Sequence, residues 1–338
     1  MKKTCVLLIN LGTPDSPKTS DVRKYLREFL NDPRVIDINP VGRYVLVNGI
    51  IAPFRAPKSA KVYQQLWNMW GGKSPLLTYG DKLRDLVQLK LSEQNVTVEF
   101  AMRYQNPSLD SVLARVQKAR YDRIVIFPLF PHHASSTSGS AIEKAVNIIS
   151  SWWVVPEVKI ITDYFNHPSY INAFVDRAKQ YNVNEYDHVL FSYHGLPERH
   201  IEKSHPGLSC AQCSCDKKFN HEQPLCYRNE CYETSRLIAE KLNIPHDHFT
   251  VVFQSRLGKT PWLKPYADQE VEKLAKSGAK KLLVFSPAFI ADCLETSIEI
   301  GVEYQHLFTQ HGGEKVQLVE SLNDSPLWVD AVCELVMR

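Results

Sequence analysis

His194 closes an apolar run and is followed by the turn-forming triplet Gly195-Leu196-Pro197. An imidazole held there can accept and pass protons near neutral pH, although a lone histidine serves as readily as a structural residue. Glu295, Glu299 and Glu303 recur every four residues. On a helix that spacing lines three carboxylates along one face, where repulsion raises their pKa values and suits them to relay protons or hold a hard cation in transit. A solvated acidic stripe is the plain alternative, but Ile298, Ile300 and Val302 interleave it. Cysteines form the third group. Of eight, Cys210, Cys213, Cys215, Cys226 and Cys231 fall in one island, while Cys5, Cys293 and Cys333 are scattered. A secreted disulfide framework would spread its cysteines through a small chain behind a signal peptide, so a metal centre is the better reading.

These residues need elements to position them. Short apolar, β-branched runs at 5–10, 96–104, 123–130, 158–162, 188–193, 250–254, 281–285 and 316–319 alternate with helical spacing. The helical stretches are 21–30, 109–119, 142–151, 170–181, 233–242, 268–277, 295–308 and 328–337. Continuous apolar strands separated by helices predict parallel sheets covered on both faces. The fold class is therefore α/β, with two doubly wound domains of four strands each. The expected boundaries are 1–163 and 164–324, with a C-terminal helix at 325–338 free to pack back on the first domain. Two stretches, 38–78 and 204–230, break the alternation and read as long, irregular, functional segments.

The 338 residues, 44% of them apolar, suffice for two such domains. Forty Lys and Arg against 37 Asp and Glu leave a net charge of +3, which argues against a dedicated nucleic-acid binder. No run reaches about 18 uninterrupted apolar residues, and the N-terminal run is too short for a signal-peptide core, so a cytoplasmic protein is expected. In open α/β sheets ligands bind beyond the carboxyl ends of the strands. Those ends carry Asn10-Leu11-Gly12-Thr13-Pro14, Arg103-Tyr104, the Ser/Thr/Gly run at 135–140, His194, Gln254-Ser255-Arg256 and Asp292-Cys293-Leu294-Glu295. The run at 135–140 could begin an anion-binding helix, but it lacks the glycine patterns of nucleotide folds. Trp67, Met69 and Trp70, with the turn at 71–75, suit either a flat apolar wall or ordinary core packing.

Taken in order, these motifs resemble the ferrochelatase family. The resemblance runs through N-L-G-T-P at 10–14, F-L-N-D-P-R-V-I-D at 29–37, W-G-G-K-S-P-L at 70–76, R-Y at 103–104 and S-S-T-S-G-S at 135–140. It continues through Y-H-G-L-P-E-R at 193–199, F-Q-S-R-L-G-K-T-P-W-L at 253–263, F-I-A-D-C-L-E-T at 289–296 and E-S-L-N at 320–323. It implies two Rossmann-like domains with a porphyrin in the cleft between them, and insertion of ferrous iron into protoporphyrin IX as the last step of heme synthesis. It further implies His194 and Glu295 as catalytic and iron-handling residues, with Glu299 and Glu303 as a proton or metal path. Ile36, Arg103, Tyr104, Ser136, Thr137 and Trp262 would contact the porphyrin. The segment 40–60 looks like an apolar lip able to rest on a membrane, through Val45, Leu46, Val47, Ile50, Ile51 and Phe54 beside Arg43, Arg55 and Lys58, giving peripheral contact at the inner membrane surface.

Two departures from the family pattern stand out. Cys293 occupies a position where many members have a histidine; a thiolate there would be a soft ligand. The family motif also passes from H-G-L-P to a short D-P-Y-x-x-x-C-x-x-T stretch, whose end fits Tyr227, Cys231 and Thr234, so an insertion at 207–226 is extra. The resemblance implies a 2Fe–2S cluster on Cys210, Cys213, Cys215 and Cys226, with Cys231 in reserve; four thiolates equally suit a structural Zn²⁺. Alternative activities are a coproporphyrin III ferrochelatase or a cobalt-loading chelatase, and the non-enzymatic alternative is a porphyrin or heme carrier or a metal sensor. Partners are thus a porphyrin and Fe²⁺, with no nucleic acid; oligomeric state is open.

Overall fold

Strand β1 (Thr4–Gly12) lies between β2 (Val96–Tyr104) and β3 (Arg123–Pro128), with β4 (Glu157–Ile160) at the edge, and every pairing is parallel. The second sheet has the same plan: β5 (His188–His194) lies between β6 (Phe249–Gln254) and β7 (Lys281–Phe285), with β8 (Lys315–Leu318) at the edge. This is a computed structural model, and it describes every residue except Met1, His205, Pro206, Leu208, Gln223, Leu257 and Lys259. Parts of the insertion 207–226 and of the motif 253–263 therefore lie outside the described residues. The fold is α/β with two parallel four-stranded sheets, as the alternation of apolar runs and helical spacing predicts.

The chain forms two compact units, one of residues 1–130, 134–163 and 329–338, the other of 131–133 and 164–328. In the first, Leu7, Ile9, Ile124 and Ile126 of the sheet meet Val112, Leu113, Ala141 and Ala145 of the covering helices. In the second, Leu190, Val252, Leu282 and Val284 meet Val271, Ile300 and Phe308. The central strands β1 and β5 are buried along nearly their whole length, which is why their sequences read as unbroken apolar runs.

The segment 38–78 departs from the irregular path expected of it. It is mostly helix: Pro40–Val45, a wider π-helical turn Leu46–Ile51, then Ala52–Met69, with Pro75–Lys90 beginning soon after. Prolines at 40, 53 and 75 fall in first turns, where no backbone N–H is needed, and the Asn39 side chain accepts from the N–H groups of Val41 and Gly42. The apolar residues of this stretch point two ways. Val47, Ala52, Ala56 and Ala60 pack inward, whereas Val41 and Phe54 are about three-quarters exposed and Tyr44, Val45 and Ile50 are also exposed. Val47, expected on the lip, belongs to the core. No helix among the described residues is long and apolar enough to cross a membrane.

At the carboxyl end of β1, Gly12 has φ +128°, and a Cβ there would stand 2.1 Å from the Tyr104 carbonyl oxygen of its partner strand. Neither the backbone angle nor the space admits a side chain. Gly12→Ala is expected to destabilise the fold by about 3 kcal/mol in urea unfolding; an unchanged midpoint would contradict this packing.

Candidate active site

His194 is the last residue of β5, half-buried, and pairs in register with Gln254 at the end of β6. Its Nδ1–H donates to the carbonyl oxygen of Gly195 at 2.7 Å. A carbonyl only accepts, so this bond fixes the tautomer and leaves the lone pair on Nε2. The next peptide is held from other sides. Gly195 N–H donates to the Gln254 carbonyl at 2.7 Å, and a Cβ on Gly195 would meet that oxygen at 2.8 Å and the Trp262 ring at 3.3 Å. Only glycine lets the strand ends approach this closely.

The helical turn Glu295–Tyr304 begins shortly after β7 and is π-helical. Its backbone bonds span five residues, and carboxylates four apart still fall along one side of it. Their surroundings nonetheless differ. Glu295 and Glu299 are half-buried and Glu303 is exposed. Glu299 accepts from Gln254 Nε2 at 2.9 Å, Ser255 N–H at 3.1 Å, the Ser255 hydroxyl and the Tyr304 hydroxyl at 3.1 Å. Gln254 Nε2 also donates to the Glu295 carbonyl at 3.3 Å, while its Oε1 accepts from Ser192. Gln254 thus joins the His194 strand end to the start of the acidic helix. Burial, then the charge of Glu299, raises the Glu303 carboxyl above its ordinary pKa. Cys293 is buried with its thiol against the Glu295 carboxyl; burial, then the Glu295 charge, pushes its pKa far up, so it is a neutral thiol here.

In the other unit Arg103 and Tyr104, at the end of β2, converge on Asp32. The Asp32 carboxylate receives Arg103 Nη2 at 2.6 Å, the Tyr104 hydroxyl at 2.9 Å and the Ser140 hydroxyl at 2.5 Å, while Arg34 N–H adds 2.7 Å. Arg103 Nε also donates to the Ser140 hydroxyl at 2.7 Å. Tyr104 is wholly buried, so its hydroxyl serves this network. Ile36, Ser136 and Thr137 of the same unit, and Trp262 of the other, are half-buried.

Cys210, Cys213, Cys215, Cys226 and Cys231 are all buried and unpaired by disulfides. The thiols of Cys213 and Cys215 lie beside each other, and Cys226 stands at the N-cap of the helix Tyr227–Lys241 with the backbone N–H groups of Asn229 and Arg228 near its sulfur. Arg228 donates to the carbonyls of Cys210 and Cys213, and Arg236 to that of Cys215. Burial pushes the Cys210 thiol up to about 12 and the Cys226 thiol to about 11. Buried thiols with N–H and guanidinium neighbours are a donor set suited to a soft metal or cluster. Among the described residues, however, no three His, Cys, Asp or Glu side chains form a group able to hold a metal ion.

A family model described as Ferrochelatase matches residues 3–338. The chain belongs to the ferrochelatase family. It is 43% identical over 344 residues to the protein named Ferrochelatase in Coxiella burnetii, covering 99% of this chain and 94% of that one. The corresponding protein of Legionella pneumophila (strain Paris) is 43% identical over 331 residues, with 98% of each chain covered. Among solved structures, SirB from Bacillus subtilis with Fe3+ is similar at a TM-score of 0.56 and 12% identity, over 99% of this chain and 94% of that one. At such identity the likeness shows the fold alone.

Gln254, Ser255 and Asp32 carry much of the geometry, yet no sequence motif assigns them a role. Their signal is positional: Gln254 and Ser255 end a central-sheet strand, and Asp32 sits in the 29–37 motif. An ordinary aspartate titrates at 3.8; burial would raise Asp32, but the bonds from Ser140, Arg34 and Tyr104 and the charge of Arg103 outweigh burial and hold it lower. Its stabilisation is therefore fully present above 3.8 and is lost as pH falls through the depressed folded value. Asp32→Asn is expected to cost about 3 kcal/mol in urea unfolding at about pH 7, with the two proteins converging as pH falls through that depressed value.

Proposed function

We propose that this protein inserts ferrous iron into a porphyrin to form heme. Metallation requires removal of two pyrrole N–H protons and delivery of a dehydrated Fe²⁺ to four nitrogens in one plane. His194 accepts pyrrole protons through Nε2, the nitrogen that the Gly195 bond leaves basic. Glu295 handles the incoming iron or receives protons, and Glu299 and Glu303 extend a path from half-buried to exposed surroundings. The observation that carries this reading is the pairing, through Gln254, of an imidazole with a set tautomer and a helix bearing the three carboxylates. Distorting the flat macrocycle towards a saddle, strain drawn from binding energy, lowers the barrier to entry. Ile36, Ser136, Thr137 and Trp262 contact the porphyrin, and Arg103, anchored by Asp32, either holds a propionate or shapes the pocket wall.

Protoporphyrin IX is the proposed substrate, in preference to coproporphyrin III. The exposed Val41, Tyr44, Val45, Ile50 and Phe54 beside Arg55 and Lys58 suit a more apolar substrate and a peripheral rest on the cytoplasmic membrane surface. The two functional domains are 1–163, which presents this lip, and 164–324, which carries His194 and the acidic helix. Cys210, Cys213, Cys215 and Cys226 would hold a 2Fe–2S cluster, with Cys231 the reserve and Zn²⁺ the alternative occupant. When bound, such a group would tie the insertion together; no step of the insertion chemistry needs it.

An anaerobic assay with Fe²⁺ and each porphyrin, after recording the visible spectrum of the purified protein, tests activity, substrate and cluster together. His194→Ala and Glu295→Gln are each expected to lower turnover by about 100-fold or more. Near-normal turnover in both would remove the assignment, and a colourless protein carrying one zinc would replace the cluster.

A further inference from the structure

Tyr227, the first residue of the helix Tyr227–Lys241, sends its hydroxyl back to the backbone carbonyl of His194, donating at 2.9 Å. The phenol is nearly inaccessible, packs edge-on against the ring of buried His132, and lies beside the Cys231 thiol one turn along its own helix. A phenol O–H is an ordinary donor. The acceptor is the peptide that joins His194 to Gly195. That peptide's N–H is already fixed by Gln254, and the following carbonyl is the one that fixes His194 Nδ1. Releasing the His194 carbonyl leaves that peptide held at its N–H end alone, so it can tilt about the Gln254 bond and shift the adjoining Gly195 carbonyl that selects the tautomer.

We propose that Tyr227 is a positioning residue for His194. Its hydroxyl pins the His194–Gly195 peptide so that Nδ1 stays protonated and Nε2 stays basic, and it touches no reacting atom itself. Because Tyr227 directly follows Cys226 and contacts Cys231, the same side chain ties the cysteine-bearing segment to the catalytic histidine. The proposal deepens the reading of His194 as proton acceptor and rests on it for its kinetic consequence, but the tautomer claim stands on geometry alone.

Tyr227→Phe removes one oxygen and leaves the packing. Two readouts separate the proposal from the reading beneath it. In ¹⁵N-labelled protein, long-range ¹H–¹⁵N correlation of the His194 ring is expected to show the Nδ1–H pattern in wild type and a substantial Nε2–H population in Tyr227→Phe. In the metallation assay, kcat is expected to fall about tenfold with KM for porphyrin within about twofold. Ser235→Ala removes a neighbouring bond of the same helix, to the Tyr193 hydroxyl, and should alter neither readout. An unchanged ring pattern in a folded Tyr227→Phe protein overturns the proposal. A shifted ring pattern with wild-type turnover upholds Tyr227 as positioning His194 and overturns His194 as the proton acceptor.

Discussion

A parallel strand buried on both faces has little room for polar side chains along its length, and only for ones with a partner. β1 and β5 are such strands, and nearly every residue between their ends is inaccessible. The constraint pushes each group with chemical capacity to a carboxyl end, where the backbone leaves the sheet and helices begin. His194, Gln254, Arg103 and Tyr104 all stand there. Within each unit, these groups gather because the strand ends do.

Groups crowded at strand ends must still be satisfied, since an unpaired polar atom in such a place costs about 1–3 kcal/mol. Both units meet this with a carboxylate at the end of the sheet. Gln105 and Ser255 follow β2 and β6 respectively, each in a left-handed conformation with φ 64°, and each gives its backbone N–H to a glutamate, Glu28 or Glu299. The strand orders β2-β1-β3-β4 and β6-β5-β7-β8 match as well. No sequence repeat betrays this correspondence, because what recurs is a backbone turn and an acceptor for its N–H, and several residue types can supply either.

This is why the fold was legible and the site only partly so. The apolar run 281–285 coincides with β7 because burial on both faces dictates its composition, and 96–104 coincides with the edge strand β2, whose burial alternates. The helices between 40 and 69 escaped notice because their faces are mixed: Ala52, Ala56 and Ala60 face the core as small residues, while Val41 and Phe54 face outward. Burial, which the reading relied on, is there inverted for the large side chains. The π-helical winding of Glu295–Tyr304 was equally hidden, since four-residue spacing looks the same in sequence whether the backbone closes over four residues or five. His194 and the three glutamates could be singled out by type and position, whereas Gln254 and Asp32, which hold their neighbours in place, could not. A positioning residue is recognised by the partners it has, and partners distant in sequence appear only in the fold.

The three glutamates show how far environment separates identical side chains. Glu299 has four donors on its two oxygens and is locked in place. Those bonds hold its side chain in one place. Glu303 is more open to solvent, but partial desolvation and then the charge of Glu299 raise its pKa, so it takes up a proton more readily than an isolated glutamate. Glu295 lies at the start of the helix, against the Cys293 thiol and joined to the His194 strand end through Gln254. In the proposed reaction this order matters: protons leaving a macrocycle near His194 and Glu295 pass an immobilised carboxyl group towards one whose surroundings favour holding them and whose exposure lets it release them to water. A row of three equivalent carboxylates would lack that direction. The donors that immobilise Glu299, among them a strand-end glutamine and a left-handed serine, supply it.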